Sequence, residues 1–266
     1  MTRAFARDRD KNVWAVLIES FATLSRLLSP DRRAALEVLV RDRIGPAVAE
    51  LGWAPRAGED DLVKQLRGDL LRALGTIGND RTAQDRAADL YARYKQDASA
   101  VDPNVLPALI AILAHAGDAA RYEEFAGRFR SAATPQEERR YLYALAAFQS
   151  PDLLARTLDK TINGEFRTQD APFMVRMVLM NVAGRETAWE FVKANWTTMD
   201  RLYPKQGIRR MCEGIVGLAT PGLERDVRTF FRERKVDLGG RILEQYLEEL
   251  RTAVTLRERL GKTLPV

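Results

Sequence analysis

This sequence is poor in the side chains that hold metals and move electrons. Its 266 residues include one histidine, His115, and one cysteine, Cys212. A single histidine cannot supply the two imidazoles of a zinc-binding helix, and a single cysteine can neither close an internal disulfide nor pair with a second thiol around a metal. Cys212 falls in the apolar run MCEGIVGLA, which predicts a buried packing residue. His115 follows the apolar stripe from Leu106 to Leu113, so it reads as a structural residue at a helix end and not as a general base. No apolar run approaches the ~18 to 20 residues of a membrane span, and the opening MTRAFARDRDKN lacks a signal-peptide core. No membrane partner is expected, and the expected location is cytoplasmic. Glycine-rich phosphate loops are absent too: the one adjacent glycine pair, Gly239 with Gly240, has no strand ahead of it and no Lys-Ser or Lys-Thr step behind. Those glycines read as a connection between two helices.

What the chain does contain is ordinary for a folded protein. Hydrophobic residues make up 46% and charged residues 30%, which leaves no segment marked for disorder. The net charge of +5 comes from 42 basic against 37 acidic residues, and the two signs alternate, as in RDRDK and ERRY. Alternation describes a solvated surface, so no nucleic-acid partner is expected. Tyr141, Tyr143 and Phe148 beside Arg139 and Arg140 could imitate a base-stacking surface, but no basic stripe continues across several helices.

Apolar residues recur at helical spacing almost throughout. Trp14, Leu17, Phe21, Leu24 and Leu28 trace one stripe; Leu62, Leu66, Leu70, Leu74 and Ile77 trace a second; Leu106, Leu109, Ile110 and Leu113 a third. Turn and cap residues separate them at Ser29-Pro30, Gly58, Gly78-Asn79, Asp102-Pro103, Gly117-Asp118, Thr134-Pro135, Ser150-Pro151, Gly184, Pro204 and Thr220-Pro221. The pattern predicts about thirteen helices and no strands. Short helices joined by short turns pack as antiparallel neighbours, so the expected fold is all-α, a HEAT-like α-solenoid spanning residues 1–266 as one domain. Met174, Met177 and Met180 share a helical spacing that reads as core.

Three blocks carry a more specific signal. LGW at Leu51 to Trp53 precedes GEDDLVKQLRGDLLRALGTIGND, from Gly58 to Asp80. YLYALAAFQSPDLLARTLDKTI runs from Tyr141 to Ile162. RTQDAPFMVRMVLMNVAGRETAWEFVKANW runs from Arg167 to Trp196. In this order they resemble the C-terminal helical domain of the zinc-dependent aminopeptidases, the group that includes aminopeptidase N, puromycin-sensitive aminopeptidase and the endoplasmic-reticulum aminopeptidases. The third block is the most specific: Arg167, Gln169, Asp170, Asn181, Gly184, Ala188, Trp189, Asn195 and Trp196 all stand where that family's pattern has them. The match runs from about Trp14 to about Leu256, and the family's domain begins some helices earlier.

The resemblance implies an enzyme whose chemistry lies outside this chain. The family's HExxH zinc helix and its Gly-x-Met-x-Asn segment for the peptide's amino group do not occur here. The chain is expected to be an inactive part of a zinc metalloaminopeptidase, with zinc in the intact enzyme and none in this part. Its implied partners are the catalytic and N-terminal domains of the same polypeptide and the peptide substrates. The implied role is to enclose the substrate chamber, bind the peptide chain and gate access. The alternative, from a different class, is a stand-alone HEAT-like scaffold that binds a protein partner.

Read residue by residue, the third block is mostly architecture. Asp170 ahead of Pro172 suits an N-cap; Asn181, Gly184 and Asn195 suit turns and helix ends; Trp189 and Trp196, seven apart, suit packing between helices. Arg167 stands just before a helix and outside any apolar stripe, where its planar fork could meet a carboxylate, either Asp170 or Glu165 in the chain or a peptide C-terminus. Arg209 and Arg210, beside a helix expected from Met211 to Ala219, are further candidates for substrate contact.

Overall fold

A computed structural model of the chain describes residues 8–236 and 238–263, with side chains as far as 261. Thirteen α-helices and no strand occur among the described residues, so the fold class is all-α as the periodicity predicts. The chain forms two compact units that meet in sequence between Ala144 and Leu145.

The first unit contains α1 (Lys11–Leu27), α2 (Pro30–Leu51), α3 (Asp61–Gly75), α4 (Arg81–Gln96), α5 (Leu106–His115), α6 (Ala119–Arg130) and nearly all of α7 (Pro135–Leu145). The second holds α8 (Pro151–Asp159), α9 (Ala171–Met180), α10 (Arg185–Leu202), α11 (Lys205–Cys212), α12 (Pro221–Glu233) and α13 (Ile242–Thr263).

The helix starts are specified by capping chemistry. Asp10, Asp60, Asp80 and Asp118 each accept a backbone N–H of the first turn, and Thr220 does the same for Leu223. These are donors that a helix start leaves unpaired. Proline occupies the first turn of α2, α5, α8, α9 and α12, where its missing N–H costs nothing.

The predicted stripes mostly become core. Trp14, Phe21 and Leu28 are buried, as are Leu66, Leu70 and Leu74, and all four residues of the α5 stripe. Leu17, Leu24 and Ile77 are half-buried, and Leu62, in the first turn of α3, is 58% exposed. In the second unit Met174, Val175 and Leu179 on α9 and Trp189, Val192 and Trp196 on α10 line the core.

One helix differs from the sequence reading. No α-helix runs from Met211 to Ala219; α11 ends at Cys212 and a 3-10 segment, Glu213–Gly217, follows. Its glycines lie directly on α9: a Cβ built at Gly217 would collide with the Leu179 carbonyl, and one at Gly214 would lie 2.9 Å from the Leu179 Cβ. The close approach of two backbones is what these glycines allow. Arg209 and Arg210 are therefore inside a helix, not beside one.

Candidate functional site

The first block is a buried ionic anchor. The carbonyl of Leu51, last residue of α2, accepts two N–H bonds from the Arg67 guanidinium, from Nε and Nη2 at 3.2 Å each. Nη2 also donates to Glu59 Oε1 at 2.6 Å. Arg67 is only 1% exposed and Glu59 is 10% exposed. The hydrogen bond from Arg67 holds the Glu59 carboxyl below the ordinary carboxylate range, against the opposing effect of burial. Gly52, at φ 69°, provides the left-handed turn that brings the α2 terminus to this arginine.

The second block packs inward. Tyr141 is fully buried and its hydroxyl is 3.1 Å from that of Tyr91. Phe148 is also fully buried, so neither ring can stack on a base. Further along, Thr157 Oγ1 donates to the carbonyl of Leu145 at 3.1 Å, and Thr161 accepts from the Tyr203 hydroxyl at 3.0 Å through its carbonyl.

The third block divides into an exposed corner and a set of ties. Arg167 is exposed in the loop before α9, and its carbonyl accepts the N–H groups of Asp170 and Ala171, both at 2.9 Å. Gln169 is exposed beside it. Glu165, a partner considered for Arg167, holds Lys160 Nζ at 2.6 Å. Asp170 occupies the N-cap position of α9 as expected, but its side chain accepts no first-turn N–H; its backbone is already helical, at φ −96° and ψ −32°, and the carboxylate does not reach back over the turn.

Asn181 is fully employed. Its amide nitrogen donates to the carbonyls of Ala146 at 3.0 Å and Phe148 at 2.8 Å, while its side-chain oxygen accepts the Ala183 N–H at 3.0 Å. Gly184 fits between side chains: a Cβ there would lie 2.6 Å from Leu154 Cδ1 and 2.8 Å from Val178 Cγ1. Asn195 donates to the Phe191 carbonyl one turn earlier on α10. Trp189 and Trp196 both pack on Phe230 and Phe231 of α12, with ring centroids 5.1 to 6.2 Å apart. The indole N–H of Trp189 donates to Asp226 Oδ2 at 2.7 Å, and Lys193 Nζ meets the same oxygen at 2.7 Å. The bond from Lys193 keeps the Asp226 carboxyl below its ordinary range.

The two remaining arginines differ sharply. Arg210 is paired with Glu213 at 2.7 Å, and Glu213 also holds Arg176 at 3.0 Å. Arg209 lines a cleft of about 370 Å³ with Trp196, Asp200, Lys205, Ile208, Arg234, Lys235, Val236, Leu238 and Gly239. Neither Arg167 nor Arg210 lines that cleft. The sequence reading missed Lys205, Arg234 and Lys235, which come to Arg209 through the fold. It also missed Asp226 as the partner of Trp189; the only local hint was Lys193, one turn after that tryptophan and itself basic.

No set of three or more His, Cys, Asp or Glu side chains that could hold a metal ion occurs among the described residues. Cys212 is buried among apolar groups, which push its thiol well above the ordinary range, and burial lowers His115, the last residue of α5. No helix among the described residues is long and apolar enough to cross a membrane.

Comparison with known proteins agrees with the motif reading. The family described as ERAP1-like C-terminal domain matches residues 1–252. Aminopeptidase M1-A of Oryza sativa subsp. japonica is 26% identical over 257 residues, covering 93% of this chain and 29% of the relative. Aminopeptidase M1 of Arabidopsis thaliana is 28% identical over 228 residues, covering 81% and 25%. The Glutamyl aminopeptidase of Bos taurus is 22% identical over 263 residues, covering 96% and 27%. The chain thus spans less than a third of the length of these relatives.

Proposed function

We propose, from the premise that this chain belongs to the family of ERAP1-like C-terminal domains, that it serves as the C-terminal domain of a zinc metalloaminopeptidase. The observation that carries the reading is the pairing of a match over nearly the whole chain with coverage of only 29% of a full aminopeptidase. In this reading the polypeptide beyond this chain supplies the zinc, the general base and the pocket for the peptide's first residue. The donor set here does not fit zinc, with one histidine at a helix end and one cysteine in an apolar core. The chain alone is inactive, it works with the catalytic and N-terminal domains of its own polypeptide, and its location is cytoplasmic.

Its contribution is shape. Successive helices within each unit stack in the HEAT-like manner, and the exposed side of such stacking encloses the space in which a peptide lies while the catalytic domain works on its N-terminus. Closing and opening that space gates entry and release. The ties formed by Arg67, Asn181 and Trp189 keep helix ends fixed, and Arg167, Arg209 and Arg210 are the arginines proposed to meet a substrate. Of these, Arg167 is the first candidate, since a guanidinium on an exposed corner can meet a peptide carboxylate in a forked geometry. Arg209 follows. Arg210 is the weakest, because Glu213 already occupies it.

The test uses the full-length enzyme. Arg167→Ala raises KM for peptides of several residues by roughly 10-fold, the worth of one charge-assisted hydrogen bond, and leaves KM for single-residue reporter substrates unchanged. Equal effects on both substrates, or none, would reduce Arg167 to architecture. A coding sequence upstream of Met1 that lacks HExxH would remove the enzyme reading altogether.

A further inference from the structure

The cleft around Arg209 concentrates positive charge. Among its described lining residues are four cations, Lys205, Arg209, Arg234 and Lys235, against one carboxylate, Asp200. None of the four has an ion pair with a described residue, whereas nearby Lys193, Arg210 and Arg228 are all paired with acids. Arg234 instead lies over the Phe230 ring, 4.9 Å from its centroid, so its charge is oriented without being neutralised. Four like charges around one described carboxylate repel, and a fold that gathers them gains when an anion enters.

Two backbone features complete the arrangement. Lys205 is the first residue of α11, and its N-cap is Pro204, which offers no side-chain acceptor to the N–H groups of the first turn. The positive end of α11 therefore stands at the edge of the cleft, where an anion would satisfy it. After α12 the chain has left-handed residues at Lys235, φ 50°, and at Gly239 and Gly240, φ 84° and 59°. Gly239 packs against the Arg209 guanidinium so closely that a Cβ would collide with Nη2. Glycine at 239 thus lets the loop close on the arginine and fix the direction of its fork.

We infer that this cleft is a binding site for a small multivalent anion bearing phosphate or carboxylate groups. Its volume of about 370 Å³ suits a ligand of that size, and Trp196, Ile208 and Leu238 give it an apolar part of the lining. The site shares Arg209 with the proposed peptide contacts, but it lies within one unit and its test uses no peptide and no peptidase activity, so the two readings fail separately.

The test is calorimetric titration of the 266-residue chain with inorganic pyrophosphate and, separately, with citrate, at fixed ionic strength. The expected result is 1:1 binding of at least one anion, weakened ~10-fold or more in Lys205→Gln/Arg209→Gln and unchanged in Arg139→Gln, a control in the first unit. Lys205→Gln alone, a change at an exposed position, gives an intermediate loss and guards against misfolding of the double variant, as does a thermal melt of each protein. Binding of pyrophosphate only marks a phosphate ligand, and of citrate only a carboxylate ligand. Absence of binding by both anions, retention of full affinity in the double variant, or equal weakening by Arg139→Gln would overturn the site.

Discussion

The Glu59–Arg67 pair of the first unit and the Asp226–Lys193–Trp189 cluster of the second do the same task at different depths. Each pairs a carboxylate with a cation: Glu59, in the loop before α3, holds Arg67, which in turn binds the last carbonyl of α2, and Asp226 of α12 holds Trp189 and Lys193 of α10. In the first, the arginine is 1% exposed and the acid 10%. In the second, Asp226 is 41% exposed and Lys193 27%. Water competes for the second pair and hardly reaches the first. The deep pair also leaves Glu59 Oε2 and Arg67 Nη1 without hydrogen-bond partners, so its benefit depends on both members being present. Buried charge specifies one arrangement at a cost, while half-exposed charge adds a little stability and tolerates change.

Breaking the deep pair gives the largest effect. Arg67→Met leaves Glu59 buried and frees the Leu51 carbonyl, and urea unfolding of the chain should show a loss of about 3 to 5 kcal/mol. Adding Glu59→Leu to Arg67→Met should restore much of it, because the stranded charge is then gone. A single-variant loss below about 1 kcal/mol would mean that the two clusters do not differ.

Acid sharpens the comparison next. Glu59 and Asp226 both have folded-state pKa values held below the ordinary range by their cationic partners. Their contribution is complete above about pH 5 and is lost as pH falls through the depressed folded values, below about pH 4. Stability measured from pH 5 to pH 3 should fall more steeply in the native chain than in Glu59→Gln, which has no proton to gain there. Parallel curves would show that Glu59 does not titrate differently in the folded and unfolded chains.

The smallest effect belongs to the exposed cluster. Asp226→Asn keeps an acceptor for the Trp189 indole but removes the charge facing Lys193, and should cost about 0.5 to 1 kcal/mol by the same urea measurement. Raising the salt concentration should shrink the difference, since the pair is reached by solvent. A loss as large as that of Arg67→Met would erase the distinction between the two clusters.

The sequence made the architecture legible because local rules and packing agree in it. Thr220-Pro221, Ser150-Pro151 and Asp118 start helices where they are expected, and the apolar stripes of α1, α3 and α5 turn inward. The segment from Met211 to Ala219 misled because its glycines answer to contact with α9, a tertiary demand that periodicity does not record. The candidate site was less legible for the same reason. Arg209 stood out as a basic residue, but Arg234 and Lys235 join it only when a segment far along the chain folds back, and Asp226 reaches Trp189 across 37 positions. Motif residues such as Asn181 were visible as turn chemistry, yet the carbonyls they bind were not.

Asn181 illustrates how narrow a tolerance such a residue can have. Its amide gives both hydrogens to carbonyl oxygens and takes one hydrogen from a backbone nitrogen, so each atom of the head group has an assigned polarity. Aspartate has almost the same outline but would aim an oxygen at two other oxygens. The join it fastens therefore depends on which atom of one small head group carries the hydrogens.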